Sequence, residues 1–170
     1  MLATAGYGFG KLLDGLSHQG EAMHQLICLL FLLAMPLPAT DDAREELKSL
    51  QGTWQAVALE AMGNPFPKDR VPPFTIVIGT DGKCTGKMGQ SEFSFTMTIN
   101  PRKNPKTIEN QHHSGPDKGK KQYGIYKLEG DTFTVCMTPG GAPADKRPKD
   151  FNTKGTNNVV FVFERVKAEK

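Results

Sequence analysis

Seven residues, Phe93-Ser94-Phe95-Thr96-Met97-Thr98-Ile99, alternate apolar and polar without a break. On an extended chain Phe93, Phe95, Met97 and Ile99 fall on one side and Ser94, Thr96 and Thr98 on the other. A strand with one buried and one wetted face belongs to an antiparallel sheet, because parallel strands are covered on both faces. The period recurs over 132–137, where Phe133, Val135 and Met137 oppose Thr132, Thr134 and Cys136. Shorter candidates lie at 54–62, 74–78, 83–88, 106–109, 122–128 and 159–166, which makes eight. Asp81-Gly82 and Glu129-Gly130-Asp131 are hairpin turns. Pro65, Pro67, Pro72 and Pro73 hold the stretch after the first strand as a loop. No helical pattern separates the strands, and a parallel sheet would need helix-length crossovers. The expectation is a mainly β chain with a single antiparallel eight-stranded barrel, which leaves no open edge. A two-sheet sandwich is the alternative.

One short helix precedes the strands. Asp42-Ala43-Arg44-Glu45 reads as its N-terminus, with Asp42 as cap and Glu45 three residues on. Ala43, Leu47 and Leu50 share a face, and Gly52 ends the helix. Two turns are too few to stand alone, so the apolar face must lie on the body of the domain. Trp54, the one tryptophan, follows directly.

Upstream, residues 26–35 form an uninterrupted apolar run of ten, followed by Pro36-Leu37-Pro38-Ala39 and then Asp41-Asp42. A helix needs about 20 such residues to span a bilayer. Ten with a charged boundary match the apolar region of a secretory signal, ending at Ala39. The division is therefore 1–39 signal peptide, with Met23 as a second candidate start, and 40–170 barrel domain. Export to the periplasm, cell surface or medium is expected, with no membrane span left after cleavage.

The formal net charge of +3 over 170 residues is too small to argue for nucleic acid. Removing 1–39, with Lys11 against Asp14 and Glu21, leaves +4. The stretch 100–121 has Arg102, Lys103, Lys106, Lys118, Lys120 and Lys121 against Glu109 and Asp117, which is also +4. Basicity is thus concentrated in one long connection. The other long connection, 138–158, is rich in Gly, Pro and Asn, and reads as disordered by default. Cys84 and Cys136 remain in the mature chain and are able to pair in an oxidising compartment. Sequence does not bring their Cα atoms within bridging distance.

Six motifs occur in order: Gln51-Gly52-Thr53-Trp54, Asn104-Pro105-Lys106-Thr107-Ile108, Gly124-Ile125-Tyr126, Glu129-Gly130-Asp131-Thr132, Val135-Cys136 and Arg147-Pro148-Lys149-Asp150-Phe151. Together they resemble an uncharacterised lipocalin-like domain family expanded in planctomycete bacteria, over roughly 47–167. The resemblance implies an exported bacterial protein with a lipocalin-like barrel, and brings no activity, ligand or catalytic residue. Cys136 lies on the family pattern and Cys84 does not, which argues against a pair. Likeness to lipocalins proper rests on Gly52-x-Trp54 and a late arginine, Arg165. It implies that Arg165 covers Trp54 at the closed end of the barrel through cation–π attraction and hydrogen bonds to carbonyls.

Little in the chain asks for catalysis. His112-His113 are adjacent, so on an extended chain they point apart and do not chelate together, and they read as solvated loop residues. Cys136 would need a lowered pKa and a base to act as nucleophile. Ser91 lacks the second glycine of a nucleophile elbow. No metal, cofactor or catalytic residue is expected. Arg147-Pro148-x-x-Phe151 has two readings: Phe151 pins its loop while Arg147 pairs with a carboxylate, or Arg147 holds an anionic group at the barrel mouth. The functional expectation is a noncatalytic barrel binding a small apolar or anionic ligand, with Tyr126 and Arg147 orienting a polar group. The alternative is a packed barrel that contacts an anionic partner through its basic loop.

Overall fold

The computed structural model describes residues 41–167. The expected signal segment lies outside the described residues. Helix α1 (Asp41–Leu50) is followed by nine strands: β1 (Gly52–Ala61), β2 (Asn64–Pro65), β3 (Phe74–Ile78), β4 (Lys83–Met88), β5 (Ser91–Asn100), β6 (Lys106–His112), β7 (Lys121–Glu129), β8 (Thr132–Met137) and β9 (Val159–Arg165). Strand β2 is a two-residue hairpin arm on β1. The other eight run antiparallel in the order β1-β3-β4-β5-β6-β7-β8-β9, and β9 pairs back to β1. The sheet is a closed eight-stranded barrel, which removes the sandwich.

Alternation decides which side chains fill it. Phe95, Met97 and Ile99 of β5 are buried inside with Phe133, Val135 and Met137 of β8. Thr98 and Ser94 face outward, and Ser94 bonds Ser114. Strand β1 bulges between Ala56 and Ala58. A bulge sharpens the local twist that closure requires. The turn from β3 to β4 depends on Gly82, whose φ is +74°. A Cβ there would lie 2.3 Å from the Met97 carbonyl oxygen, so no other residue fits.

Because α1 enters beside β1, the two ends of the barrel differ. At one end lie α1, the β3–β4, β5–β6 and β7–β8 turns and the end of β9. At the other lie the β2 arm, the β4–β5 turn, and the connections 113–120 and 138–158. Helix α1 starts at Asp41, so Asp42 sits in its first turn rather than at the cap position. Gly52 belongs to β1, with φ +115°, and stands two residues past the helix end at Leu50.

The connection 138–158 is a folded strap on the outer wall. A 3-10 turn (Ala144–Lys146) leads to Arg147. Phe151 packs on Ile125, Cys136 and Val160, which form a small apolar cluster on the outside of the sheet. Thr153 is fully buried; its hydroxyl donates to Glu60 Oε1 at 2.6 Å and accepts from the Gly63 amide at 2.7 Å. A Gly-, Pro- and Asn-rich stretch is thus ordered by three anchors that composition does not display.

Candidate functional site

The closed end is built on Trp54, which is fully buried. Its indole N–H donates to the Leu50 carbonyl at 2.7 Å, and its ring meets Phe133 at 5.6 Å between centroids. Trp54 and Arg165 are register partners on β1 and β9. The Arg165 guanidinium carbon sits 4.2 Å from the Trp54 ring centre. Arg165 also donates to the carbonyls of Gln51 at 2.5 Å and Ser49 at 2.6 Å, and to Asp131 at 3.1 Å. The last carbonyls of a helix have no partner within it, and a cation there answers the helix dipole. Arg165 therefore fastens α1 across the barrel end. A Cβ on Gly52 would lie 3.2 Å from an Arg165 nitrogen, so the glycine leaves room for that reach.

The opposite end is open. A cavity of about 490 Å³ runs into the barrel from the loops 113–120 and 138–158. Its wall is dominated by Phe74, Phe93, Phe95, Phe133, Phe161 and Phe163. Pro116 and Asp117 from the first loop meet Pro139 and Asn157 from the second at the rim. Their approach is close: a Cβ on Gly140 would lie 2.4 Å from an Asp117 carboxylate oxygen.

The largest polar side chains inside the barrel stand at neighbouring positions on β6 and β7, with Ser91 and Thr138 adding hydroxyls to the lining. Asn110 and His112 line the cavity, as does Gln122, the register partner of Asn110. His112 is buried, with Nε2 2.9 Å from Gln122 Oε1 and its ring 5.5 Å from Phe95. His113 points outward, is exposed, and meets the Thr96 hydroxyl at 2.8 Å. The expectation of two solvated loop histidines is corrected for His112, because β6 runs on to that residue. The period-two series Ile108, Asn110, His112 was the available signal, masked by the polar residues between.

Tyr126 and Arg147 are found elsewhere, and neither lines the cavity. Tyr126 is buried near the closed end, 6.0 Å from Phe133, with Lys106 Nζ 5.9 Å from its ring centre. Burial, with the Glu46 carboxylate nearby, pushes its pKa up. Arg147 lies on the outer wall. One guanidinium nitrogen donates to the carbonyls of Ile108 at 2.6 Å and Gly124 at 2.8 Å, and the group stacks 5.2 Å from the Tyr123 ring centre. Its geometry is that of a strap anchor whose partners are backbone carbonyls and an aromatic face. Arginine suits this because its planar fork bonds oxygens while its face lies on a ring.

The thiols are separate. Cys84 faces the interior and Cys136 the outer cluster beneath the strap, on strands that are not neighbours, and both are free. The open question of a disulfide is settled by strand position: the two side chains lie on opposite sides of the barrel wall. Burial pushes the Cys84 pKa up to about 12 and the Cys136 pKa up to about 11. Neither thiol is activated as a nucleophile.

The basic stretch 100–121 does not form one surface. Arg102 and Lys106, at the closed end, pair with Asp42 and Glu46 of α1 at 2.5 and 2.6 Å. Toward the mouth, Lys120 pairs with Asp117 at 3.0 Å and Lys121 with Glu109 at 2.6 Å. Among the described residues, no group of three His, Cys, Asp or Glu is placed to hold a metal ion. No described helix is long and apolar enough to cross a membrane. Comparison with protein-family models, curated proteins and solved structures gives no match.

Proposed function

We propose that this protein is a noncatalytic barrel that takes a small apolar molecule into its interior, and that it is exported. The observation that carries the reading is the cavity: about 490 Å³, walled by six phenylalanines and open at one end. Close-packed interiors leave few voids larger than a water molecule. Cavities of roughly 300–1,000 Å³ with apolar walls and a few polar groups are the usual form of small-molecule sites. Each Å² of apolar surface that a ligand buries there contributes about 25 cal/mol. The noncatalytic part of the reading rests on the groups at hand. Neither ring nitrogen of His112 touches a hydroxyl or thiol, so no nucleophile is paired with a base at this site. Export rests on the apolar run 26–35 and the charged boundary after Ala39.

Native mass spectrometry of protein isolated from its own host tests the binding reading. Thermal shift against a panel of small apolar molecules tests it in parallel, beside Val135→Trp, which fills the cavity from its wall. A co-purifying mass or a ligand-induced shift is expected in the wild type and not in the variant. Neither signal in the wild type overturns the reading. N-terminal sequencing of the native protein tests export: a start at Thr40 is expected, and a chain retaining 1–39 in the cytosolic fraction refutes it.

A further inference from the structure

The reading of the cavity as a ligand site can be taken one step further, to the chemistry of the ligand. Asn110 and His112 stand two apart on β6, so both face inward, about 7 Å apart along the strand. His112 is 7% exposed. Its Nε2 faces the Gln122 carbonyl oxygen at 2.9 Å. In a neutral imidazole facing an acceptor, Nε2 carries the hydrogen and Nδ1 is left with a lone pair. Among the described residues, His112 Nδ1 has no hydrogen-bond partner, and neither has Asn110 Oδ1. Two unpartnered buried acceptors thus line a mainly apolar cavity, and buried polar groups are seldom left unpaired. Among the described lining residues there is no lysine or arginine, and the one carboxylate, Asp117, is at the rim and engaged by Lys120.

We infer that the cavity selects a neutral aromatic molecule bearing a hydroxyl or N–H donor. The donor is taken by His112 Nδ1 or Asn110 Oδ1, and the ring lies among Phe93, Phe95 and their neighbours. Each competing class fails on a specific ground. A carboxylate would bring negative charge to two lone pairs with no cation to balance it. An ammonium would be buried with no carboxylate at its depth. An ether or ester brings no donor and leaves both acceptors unmet, whatever it takes from the Asn110 or Gln122 amide N–H. Phe95 and Phe93 lie 5.5 and 6.2 Å from the His112 ring, so the donor subsite is itself framed by aromatic faces. Offset or edge contacts of a guest ring with such faces are favourable.

Calorimetric titration at neutral pH with 2-naphthol, 2-methoxynaphthalene and 2-naphthoate tests this. Against the wild type, 2-naphthol is expected to bind about tenfold more tightly than its methyl ether, the worth of one hydrogen bond to an unmet acceptor. The naphthoate should bind most weakly. In His112→Phe and Asn110→Leu, each checked by thermal melting, the preference for naphthol over the ether should shrink while ether binding persists. Two variants guard against one that does not fold. Equal affinity of naphthol and ether in the wild type, a preference that survives both substitutions, or tightest binding of naphthoate each overturns the inference. All three leave the cavity reading standing, because the ether still binds. Failure of all three probes to bind overturns both.

Discussion

Trp54→Ala should be among the most damaging single changes in the domain. The indole is fully buried, so none of its transfer energy is already lost to solvent contact. Truncation of a core tryptophan to alanine costs about 3–5 kcal/mol. Two features place this site toward the upper end. The Leu50 carbonyl loses the N–H that lies 2.7 Å from it, worth about 1 kcal/mol. The Arg165 guanidinium, 4.2 Å from the ring centre, loses its aromatic face, worth about 1 kcal/mol in a partly desolvated setting. Against a domain stability of about 5–15 kcal/mol, such a loss is severe. Equilibrium denaturation followed by far-UV circular dichroism is the assay, since the substitution removes the only tryptophan fluorophore. Trp54→Phe keeps most of the ring but not the N–H, and should cost about 1–2 kcal/mol. Arg165→Ala and the double variant complete a cycle with a coupling of about 1 kcal/mol. A loss below about 1 kcal/mol for Trp54→Ala would refute the assignment of the indole as the plug of the closed end. Strict additivity in the cycle would refute its coupling to Arg165.

Arg147→Ala removes two charge-assisted hydrogen bonds to the carbonyls of Ile108 and Gly124 and should cost about 1.5–3 kcal/mol. Limited proteolysis should cut the strap at 138–158 faster in this variant, while ligand titrations stay unchanged because Arg147 does not line the cavity. Thr153→Val keeps the side-chain shape but strips the hydroxyl from Glu60 Oε1 and the Gly63 amide, and should lower stability by about 1–3 kcal/mol in urea melts. The buried thiols make stability fall on the alkaline side. Their folded pKa values, about 12 for Cys84 and about 11 for Cys136, stand above the 9.0 of an unperturbed thiol. The stabilisation is complete below pH 9.0 and is lost as pH rises toward the folded values, because the unfolded chain ionises first. The slope is about 1.4 kcal/mol per pH unit per thiol, so urea melts between pH 9 and 10 should show a shallower decline in Cys136→Ala than in wild type.

The strands were readable because alternation is a local signal. Phe93 to Ile99 and Phe133 to Met137 display it without interruption, and the eight candidates correspond to the eight strands of the barrel. Closure was less legible, since pairing of β1 with β9 depends on residues 98 to 111 positions apart in sequence. The polar part of the cavity was hidden for a physical reason. On β6 the inward positions are Ile108, Asn110 and His112, and two of the three are polar, so the apolar period fails at the residues that matter for recognition. The strap was misread for a similar reason. Its order comes from Arg147, Phe151 and Thr153, single anchors spaced by Gly, Pro and Asn, and each acts on a strand remote in sequence.

The two ends of the barrel divide the chemistry between them. At the closed end the charged groups near α1 are answered, with the buried Tyr126 hydroxyl as the one unpartnered group there among the described residues: Arg165 meets the helix carbonyls and Asp131, and Lys106 and Arg102 meet Glu46 and Asp42. Such a network holds one arrangement and leaves little for a ligand to gain. Within the open half the balance is reversed, because Asn110 and His112 present acceptors that the protein does not satisfy. A chain selected for stability alone would gain by replacing both, together with Gln122 that bonds His112, by apolar residues, since removing both partners of a buried polar pair is cheaper than leaving a group unmet. The cavity's cost in packing, set beside the unmet acceptors within it, therefore points the same way as its volume. The sequence tolerates a poorly satisfied interior on the side where a guest can complete it. Replacing Asn110, His112 and Gln122 together by leucine, phenylalanine and leucine should then raise the melting temperature of the ligand-free protein while abolishing the preference for donor-bearing ligands. A triple variant that melts lower than wild type in differential scanning calorimetry would break this argument.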